Sequence, residues 1–239
     1  MNTIKIEKGQ TMMIAHRGLS GIERENTNAA FVAAGNRSYY GIETDIHRTA
    51  DGRFVVVHDA TLARVANENI SVEEVSLSVL QSIVLLDKDG TKNRADLRPC
   101  SLENYVEICK KYEKHCVLEL KSKFTEEEIA RLVDVLRDLG YLEHVTFISF
   151  SYGNLLKIRA LLPNQSIQYL FKEITKDLIE QLVSDRFDVD IRYDALTEET
   201  VKQFHDAGLK INCWTVDDKE IAEKLVAMGV DYITSNILE

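Results

Sequence analysis

The sequence predicts an α/β protein with the fold of a (β/α)8 barrel, or TIM barrel, that carries a small insertion after its second strand. From residue 101 onward, apolar strand patterns alternate with amphipathic helical patterns, and such units require a parallel sheet covered by helices. The whole chain contains eight strand patterns of this kind, which is the number that closes the barrel. Its 239 residues are also an ordinary length for this fold as one domain.

The predicted strands are short apolar runs that end abruptly at polar residues. In chain order they are MMIAH, GIETD, CVLELK, VTFISF, SIQYLF, DVDIRY, KINCWTV and VDYITS, and FVVVH remains as a hairpin partner of the second. Asp51 and Gly52 are a strong two-residue turn signal for that hairpin. If they form the turn, Asp45 lies opposite His58, whereas a bulge shifts the pairing by one residue.

The predicted helices lie between these strands and have recognisable ends. In TEEEIARLVDVLRDLG, Thr125 and Glu128 have the spacing of a capping box, and Gly140 follows the last turn. Ser101 is the expected cap of SLENYVEICKKYEK. The others are GNLLKIRALLP, TKDLIEQLVSD, TEETVKQFHDAG and DDKEIAEKLVAMG.

Residues 60–100 do not follow the alternation. They contain short helical patterns such as VEEVSLSVLQSI but no clear strand. We therefore expect a small insertion over the barrel mouth, within a single domain that spans residues 1–239. Segments of this length are often lids or binding elements, and a purely decorative subdomain is the alternative.

Polar side chains collect at the carboxyl ends of the predicted strands, where barrels of this kind hold their functional residues. They are His16, Arg17, Glu43, Asp45, Glu119, Lys121, Trp214 and Ser235. Their agreement across separate strands predicts one site at the barrel mouth.

Three of these residues are carboxylates that suit a metal ion. Glu43 and Asp45 are two residues apart on one strand, so they share a face. Glu119 and Lys121 repeat this spacing on another strand. Three converging carboxylates favour one divalent cation, Mg²⁺ or Ca²⁺. The alternative is that Glu119 and Lys121 form an internal ion pair.

Two histidines stand in the context of a general acid/base pair. His16 and His58 each end an apolar strand beside a charged residue. His47 could share the face of Asp45, but we expect it at the surface. Trp214 either walls the pocket against an apolar or glycerol group or packs in the core.

Composition excludes several classes of protein. A formal charge of −10 argues against a nucleic-acid surface. No apolar run approaches the ~18 residues of a membrane span, so we expect a soluble, cytoplasmic protein without stable membrane association. The four cysteines lack zinc-site spacing and are expected to be buried thiols, with a Cys109–Cys116 bridge as the alternative.

At these positions the chain resembles the glycerophosphodiester phosphodiesterase family. The matching elements lie in the same order over residues 14–236: His16-Arg17-Gly18, Glu25-Asn26-Thr27, Glu43-x-Asp45, Asp51-Gly52 leading to His58-Asp59, Leu118-Glu119-Leu120-Lys121, Trp214-Thr215-Val216, and Gly229-Val230-Asp231 leading to Ile233-Thr234. Two departures stand out. Arg24 occupies a place where the family usually has proline, and Ser235 follows Thr234 where many members have aspartate.

The resemblance implies a hydrolase that converts glycerophosphodiesters to sn-glycerol 3-phosphate and an alcohol, with a role in lipid and glycerol metabolism. By carry-over, Glu43, Asp45 and Glu119 bind the divalent cation, and His16 and His58 are the catalytic acid and base. Arg17 and Lys121 hold the phosphate, and Glu25 orients Arg17. Two alternatives stay open: a lysophospholipase D-like or sphingomyelinase D-like phosphodiesterase, and a non-catalytic barrel that binds a phosphorylated ligand. The preferred cation, the head group and the oligomeric state are left open.

Overall fold

A computed structural model describes residues 2–175 and 177–239 of the chain. The strands are β1 Met12–Ala15, β2 Gly41–Arg48, β3 Phe54–Val56, β4 Cys100–Ser101, β5 His115–Leu120, β6 Val145–Ser149, β7 Ser166–Phe171, β8 Asp188–Arg192, β9 Ile211–Trp214 and β10 Tyr232–Ser235. The α-helices are α1 Asn28–Gly35, α2 Ala63–Ala66, α3 Leu77–Ser82, α4 Leu102–Lys111, α5 Glu126–Asp138, α6 Tyr152–Leu161, α7 Leu178–Asp185, α8 Glu198–Asp206 and α9 Lys219–Met228.

Eight of these strands form a closed parallel barrel, as the sequence predicts. The order around it is β1, β2, β5, β6, β7, β8, β9 and β10, and β1 pairs with both β2 and β10 to close the ring. The register brings Asp45 of β2 beside Glu119 of β5. It also brings Ala15, the last residue of β1, beside Ser235 of β10. The carboxyl ends that carry the predicted site residues therefore meet at one mouth.

The barrel is stabilised mainly by apolar packing between the strands and the surrounding helices. Phe31, Tyr105, Phe147 and Phe204 are all at most 2% exposed in this layer. A smaller apolar cluster fills the inside of the barrel and includes Ile14, Val117, Ile148 and Leu170. Because the inner cluster is small, the upper interior is left to polar side chains, which is what a site requires.

Helix α1 is not predicted from the sequence. Its sequence NAAFVAAG is apolar nearly all round and lacks the periodic pattern by which amphipathic helices are recognised. The side chain of Thr27 caps it by accepting from the N–H of Ala30. Gly18 approaches the helix so closely that an added Cβ would lie 2.7 Å from the carbonyl carbon of Ala30, and its φ is +76°. Only glycine fits both demands.

The capping box predicted for α5 is present. The hydroxyl of Thr125 accepts from the N–H of Glu128, and the Glu128 carboxylate accepts from the N–H of Thr125 at 2.8 Å. We expect Thr125→Ala to lower the free energy of unfolding by about 1 kcal/mol, because one N-terminal donor loses its partner. Urea denaturation measures this difference. Thr125→Ser keeps the hydroxyl and is the control, and a Thr125→Ala variant as stable as the wild type would show that the cap contributes nothing.

The β2–β3 hairpin differs from its predicted register by one residue. Thr49, not Ala50, pairs with Arg53, so the loop has three residues and ends at Gly52 with φ +72°. A three-residue loop with glycine in the left-handed region is the common alternative to a two-residue turn. Asp45 is therefore paired with Val57, whose N–H donates to the Asp45 carbonyl at 3.1 Å, and His58 lies one residue beyond.

Residues 60–100 contain α2 and α3 and end in β4, which pairs with β3. This segment has an apolar cluster of its own with β3, in which Leu62, Val72, Leu80 and Leu97 are fully buried. Arg24, which replaces the usual proline, donates to the carbonyls of Leu86 and Asp87. The segment is thus anchored to the loop between β1 and α1. Among the described residues, no helix is long and apolar enough to cross a membrane.

Candidate active site

The three predicted metal ligands converge inside the barrel mouth. Glu43 and Asp45 lie on β2 and Glu119 lies on β5, and one carboxylate oxygen from each is within 4.8 Å of the other two. All three are buried, with exposures of 4%, 0% and 8%. Residues two apart on β2 point to the same face of the sheet, and the register places Glu119 of β5 beside Asp45. The three side chains therefore meet on one face.

Three buried carboxylates so close together repel one another. Burial, and then the neighbouring Asp45, raises the pKa of Glu43 well above its usual range. The same two causes raise the pKa of Glu119. Burial acts in the same direction on Asp45, but the charges of Arg17 and Lys121 outweigh it and hold the Asp45 pKa below its usual range. The negative charges of the cluster thus exceed the positive charge beside them, so a further cation would stabilise the ionised carboxylates.

The oxygens of Asp45 show that the cluster fits a cation. Its Oδ2 accepts from the amide of Asn26 at 2.8 Å, and the hydroxyl of Thr44 fixes that amide at 2.8 Å. Its Oδ1 is buried and has no hydrogen-bond partner among the described residues. Its nearest cation is Lys121 Nζ at 3.6 Å, and a buried carboxylate oxygen without a hydrogen bond is costly in protein alone. A hard divalent cation would satisfy it together with Glu43 and Glu119.

His16 follows β1 directly and is held by residues from the other end of the chain. Asn236 presents its Nδ2 to Asp217 at 2.6 Å, so its Oδ1 must face His16 Nδ1 at 2.8 Å. An amide oxygen only accepts, hence Nδ1 carries the proton and Nε2 is free, 3.9 Å from Glu43. Burial, and then the charge of Arg17, lowers the pKa of His16 to about 4. The neutral ring can thus accept a proton at Nε2.

His58 has a different partner. Its Nδ1 lies 2.6 Å from the Asp59 carboxylate, which must accept the proton, so its Nε2 is also free. A carboxylate stabilises the charged imidazolium, whereas an amide does not. His47, which we expected at the surface, is 5% exposed. Its Nε2 lies 3.2 Å from the carbonyl oxygen of His58, so it fixes the backbone that carries His58. The expectation was wrong because Ser122 and Glu73 lie against the ring, 3.3 and 3.6 Å from its Nδ1.

The two cations predicted to bind phosphate flank the carboxylates. Arg17 donates from Nη1 to Glu25 at 2.9 Å, which is the expected orienting contact, and its Nε is 3.3 Å from Asp45. Lys121 donates to Glu119 at 2.9 Å and lies 3.6 Å from Asp45. The ion pair proposed as the alternative role for Glu119 and Lys121 therefore coexists with the carboxylate cluster.

One open pocket of about 480 Å³ at the mouth is lined by both histidines, both cations and two of the carboxylates: His16, His58, Arg17, Lys121, Glu43 and Glu119. The opposite wall is apolar: Trp214 packs edge-on against Phe150, with ring centroids 5.7 Å apart, and Leu170 and Ile148 lie beside them. Phe150 is 44% exposed at this rim. Trp214 is thus a pocket wall and also part of the inner apolar cluster, so both roles considered for it describe the same position.

Several residues of the site were given no role from the sequence. Asn236, Asp59 and Asp217 contact the histidines or their partners through loops, and Asp190 lies in the pocket at 1% exposure. Asp59 stands beside His58 in a matching element of the family resemblance and could have been given a role. Asn236 could not, because it is 220 residues from His16.

Comparisons with known proteins agree with this geometry. A family model described as the glycerophosphoryl diester phosphodiesterase family matches residues 16–238. A glycerophosphodiester phosphodiesterase of Caldanaerobacter subterraneus is 29% identical over 233 residues, covering 95% of this chain and 94% of the relative.

Two solved structures share the fold. A phosphodiesterase of Oleispira antarctica, in complex with the product sn-glycerol-3-phosphate, is 28% identical with a TM-score of 0.88 and covers 95% of this chain and 93% of its own. A glycerophosphodiester phosphodiesterase of Parabacteroides distasonis is 27% identical with a TM-score of 0.81, covering 96% and 94%.

Proposed function

The chain belongs to the glycerophosphoryl diester phosphodiesterase family, a family of phosphoric diester hydrolases, and from that premise we propose that it converts glycerophosphodiesters to sn-glycerol 3-phosphate and an alcohol with the help of one divalent cation. The observation that carries the proposal is the common pocket of the histidines, cations and carboxylates. The Oleispira antarctica relative is in complex with the product sn-glycerol-3-phosphate, which supports the same product for this chain.

Glu43, Asp45 and Glu119 would hold the cation. When bound, it supplies charge neutralisation and lowers the pKa of a hydroxyl group near it. Mg²⁺ and Ca²⁺ both suit three carboxylates with further positions for water and substrate oxygens.

His16 and His58 would share the proton transfers. We assign the first deprotonation, that of the glycerol 2-hydroxyl, to Nε2 of His16. Asn236 holds the ring proton on Nδ1, so Nε2 carries no proton and can accept one. His58, whose Nδ1 lies 2.6 Å from the Asp59 carboxylate, would protonate the leaving alkoxide from its Nε2. Attack by the 2-hydroxyl forms a new P–O bond, expels the alcohol and leaves a cyclic phosphate. Water then opens the ring, with the roles of the histidines exchanged.

Arg17 and Lys121 would bind the phosphate oxygens and stabilise the charge that grows on them in the transition state. Trp214 and Phe150 would exclude water from the far side of the pocket. The insertion at residues 60–100 would support the loop that carries Arg17. We also propose a small-molecule substrate and a cytoplasmic site of action.

The proposal is tested by measuring release of sn-glycerol 3-phosphate from glycerophosphocholine and, in parallel, from a long-chain lysolipid. Turnover of glycerophosphocholine is expected. Activity on the lysolipid alone would instead favour the lysophospholipase D-like alternative. Activity on neither, with tight binding of glycerol 3-phosphate, would favour a non-catalytic barrel.

Removing divalent cations is expected to abolish turnover. Dialysis against a chelator leaves the three carboxylates without their counter-charge, so activity should fall to background and return on addition of Mg²⁺, Ca²⁺ or Mn²⁺. Each cation is added separately, and the recovered rate identifies the preferred one. Full activity in chelator, or no recovery with any cation, would refute the three-carboxylate site.

A further inference from the structure

Helix α2 presents one arginine from the insertion to the site. Leu62, Val65 and Ala66 are at most 5% exposed in the apolar cluster of residues 60–100. The carbonyl of Val65 also accepts from the N–H of Leu86 at 2.8 Å. Arg64 lies between these anchored positions, so its backbone is fixed while its side chain extends away from the cluster.

The guanidinium of Arg64 bridges two carboxylates. Nη1 and Nη2 donate to the two oxygens of Glu25 at 2.7 and 2.8 Å, and Nε donates to Asp59 Oδ2 at 2.7 Å. Three donors are therefore used on two acceptors that come from different loops. A planar guanidinium with fixed donors can do this, and a lysine cannot.

Each of these carboxylates also holds a residue of the proposed chemistry. Glu25 accepts from Arg17 Nη1 at 2.9 Å, and Asp59 Oδ1 lies 2.6 Å from His58 Nδ1. The contacts form one chain of alternating charge that runs from Arg17 through Glu25, Arg64 and Asp59 to His58. Arg64 is its midpoint and contacts neither end.

This chain is more than an ordinary surface ion pair. Isolated exposed pairs contribute little, but bidentate geometry and networks are the exceptions. The side chains of Glu25 and Asp59 are only 16% and 31% exposed. Burial acts to raise the pKa of Glu25, but hydrogen bonds from Arg64 and then the charge of Arg17 outweigh it and lower the pKa to about 2. Burial acts in the same direction on Asp59, but hydrogen bonds from Arg64 and then His58 outweigh it and lower its pKa, so both carboxylates are held as anions.

We propose that Arg64 is a positioning residue that sets the phosphate-binding Arg17 and the acid/base His58 in one mutual geometry, which gives the insertion a direct part in the reaction. The inference rests on the proposed function. Without Arg64, Glu25 and Asp59 repel each other and lose the group that fixes their spacing. Arg17 and His58 then keep their partners, but those partners are no longer held relative to one another.

The test compares Arg64→Ala and Arg64→Lys with the wild type on glycerophosphocholine. We expect kcat to fall by about 10- to 100-fold in both, the size typical for partners that orient catalytic or metal-binding groups. Because the side chain is 45% exposed, the variants should fold, and their melting temperature is measured alongside. Low millimolar guanidinium ion should partly restore Arg64→Ala and leave the wild type unaffected.

Arg94→Ala is the matched control. Arg94 belongs to the same insertion and donates to Glu23 at 2.6 Å and to Asp96 at 2.7 Å. Replacing it removes a comparable ion pair between the insertion and the β1–α1 loop, and the contacts of Glu25 and Asp59 stay unchanged. Its kcat should stay within about twofold of the wild type, and added guanidinium should have no effect.

A double mutant distinguishes positioning from a merely structural role. In an Asp59→Asn background the Arg64→Ala change should cost clearly less than it does alone, because the two residues act as one unit. Wild-type kcat in Arg64→Ala, full activity in Arg64→Lys, or an equal loss in Arg94→Ala would each overturn the inference. A wild-type protein that turns over no glycerophosphodiester would instead refute the proposed function before any variant is compared.

Discussion

Replacing His16 with alanine is expected to lower kcat by about 10²- to 10⁴-fold, the range that a positioned general base contributes. The ring has one task in the proposed first step, which is to accept the 2-hydroxyl proton at Nε2, and Asn236 fixes the tautomer for it. The variant loses this proton acceptor while the carboxylate cluster stays complete. Steady-state release of sn-glycerol 3-phosphate measures the effect.

A substrate with a better leaving group distinguishes the roles of the two histidines. A glycerol p-nitrophenyl phosphodiester expels an alcohol that needs no proton in the first step, so release of p-nitrophenol in a single turnover should be largely restored in His58→Ala and should stay low in His16→Ala. His144→Ala is the control, because His144 is exposed and stacks on Tyr141 far from the mouth. Wild-type turnover in His16→Ala would refute the two-histidine mechanism, and rescue of His16→Ala instead of His58→Ala would reverse the assignment.

Glu119→Gln is expected to abolish turnover through loss of the cation. The amide keeps the shape and can still accept from Lys121, which lies at 2.9 Å, but it is a neutral and weaker ligand for Mg²⁺ or Ca²⁺. Activity at a fixed, low cation concentration should therefore fall by at least ~100-fold, more than the loss typical of residues that only orient a ligand.

Thermal unfolding gives a readout of the same change that is independent of turnover. A cation at 100 times its Kd stabilises the wild type by about 2.7 kcal/mol, and this gain should vanish in Glu119→Gln. In chelator the variant should be at least as stable as the wild type, because one of three repelling carboxylates is gone. The matched control Glu107→Gln alters an exposed glutamate of α4 and should behave as wild type. Equal cation stabilisation in Glu119→Gln would exclude Glu119 as a ligand.

The hairpin between β2 and β3 illustrates where sequence reasoning reaches its limit. The Asp51-Gly52 signal correctly locates the turn, but a two-residue and a three-residue loop have the same local signature. The apolar pattern does not choose between them either, because Phe54, Val55 and Val56 are all at most 3% exposed and both faces of the strand are therefore buried. The one-residue shift moves His58 off the position opposite Asp45.

The polar partners of the histidines illustrate a second limit. Asn236 and His16 are adjacent because β10 pairs with β1 and closes the barrel, and the family pattern offers no hint since this part of the motif departs from it. Likewise Arg64 belongs to a segment whose periodicity predicts only short helices. Its role follows from packing that anchors α2 and from two acceptors on separate loops.

The sequence by itself determined the barrel and the cluster of three carboxylates, because strand periodicity and a spacing of two residues specify which side chains share a face, and its ordered motifs indicated the family. Only the tertiary structure decided the hairpin register, the burial of His47, the tautomer of His16 and the bridge made by Arg64. The physical reason is that the register depends on a choice between two loops with the same local signature, and the other features depend on contacts between separate segments that exist only in the folded chain.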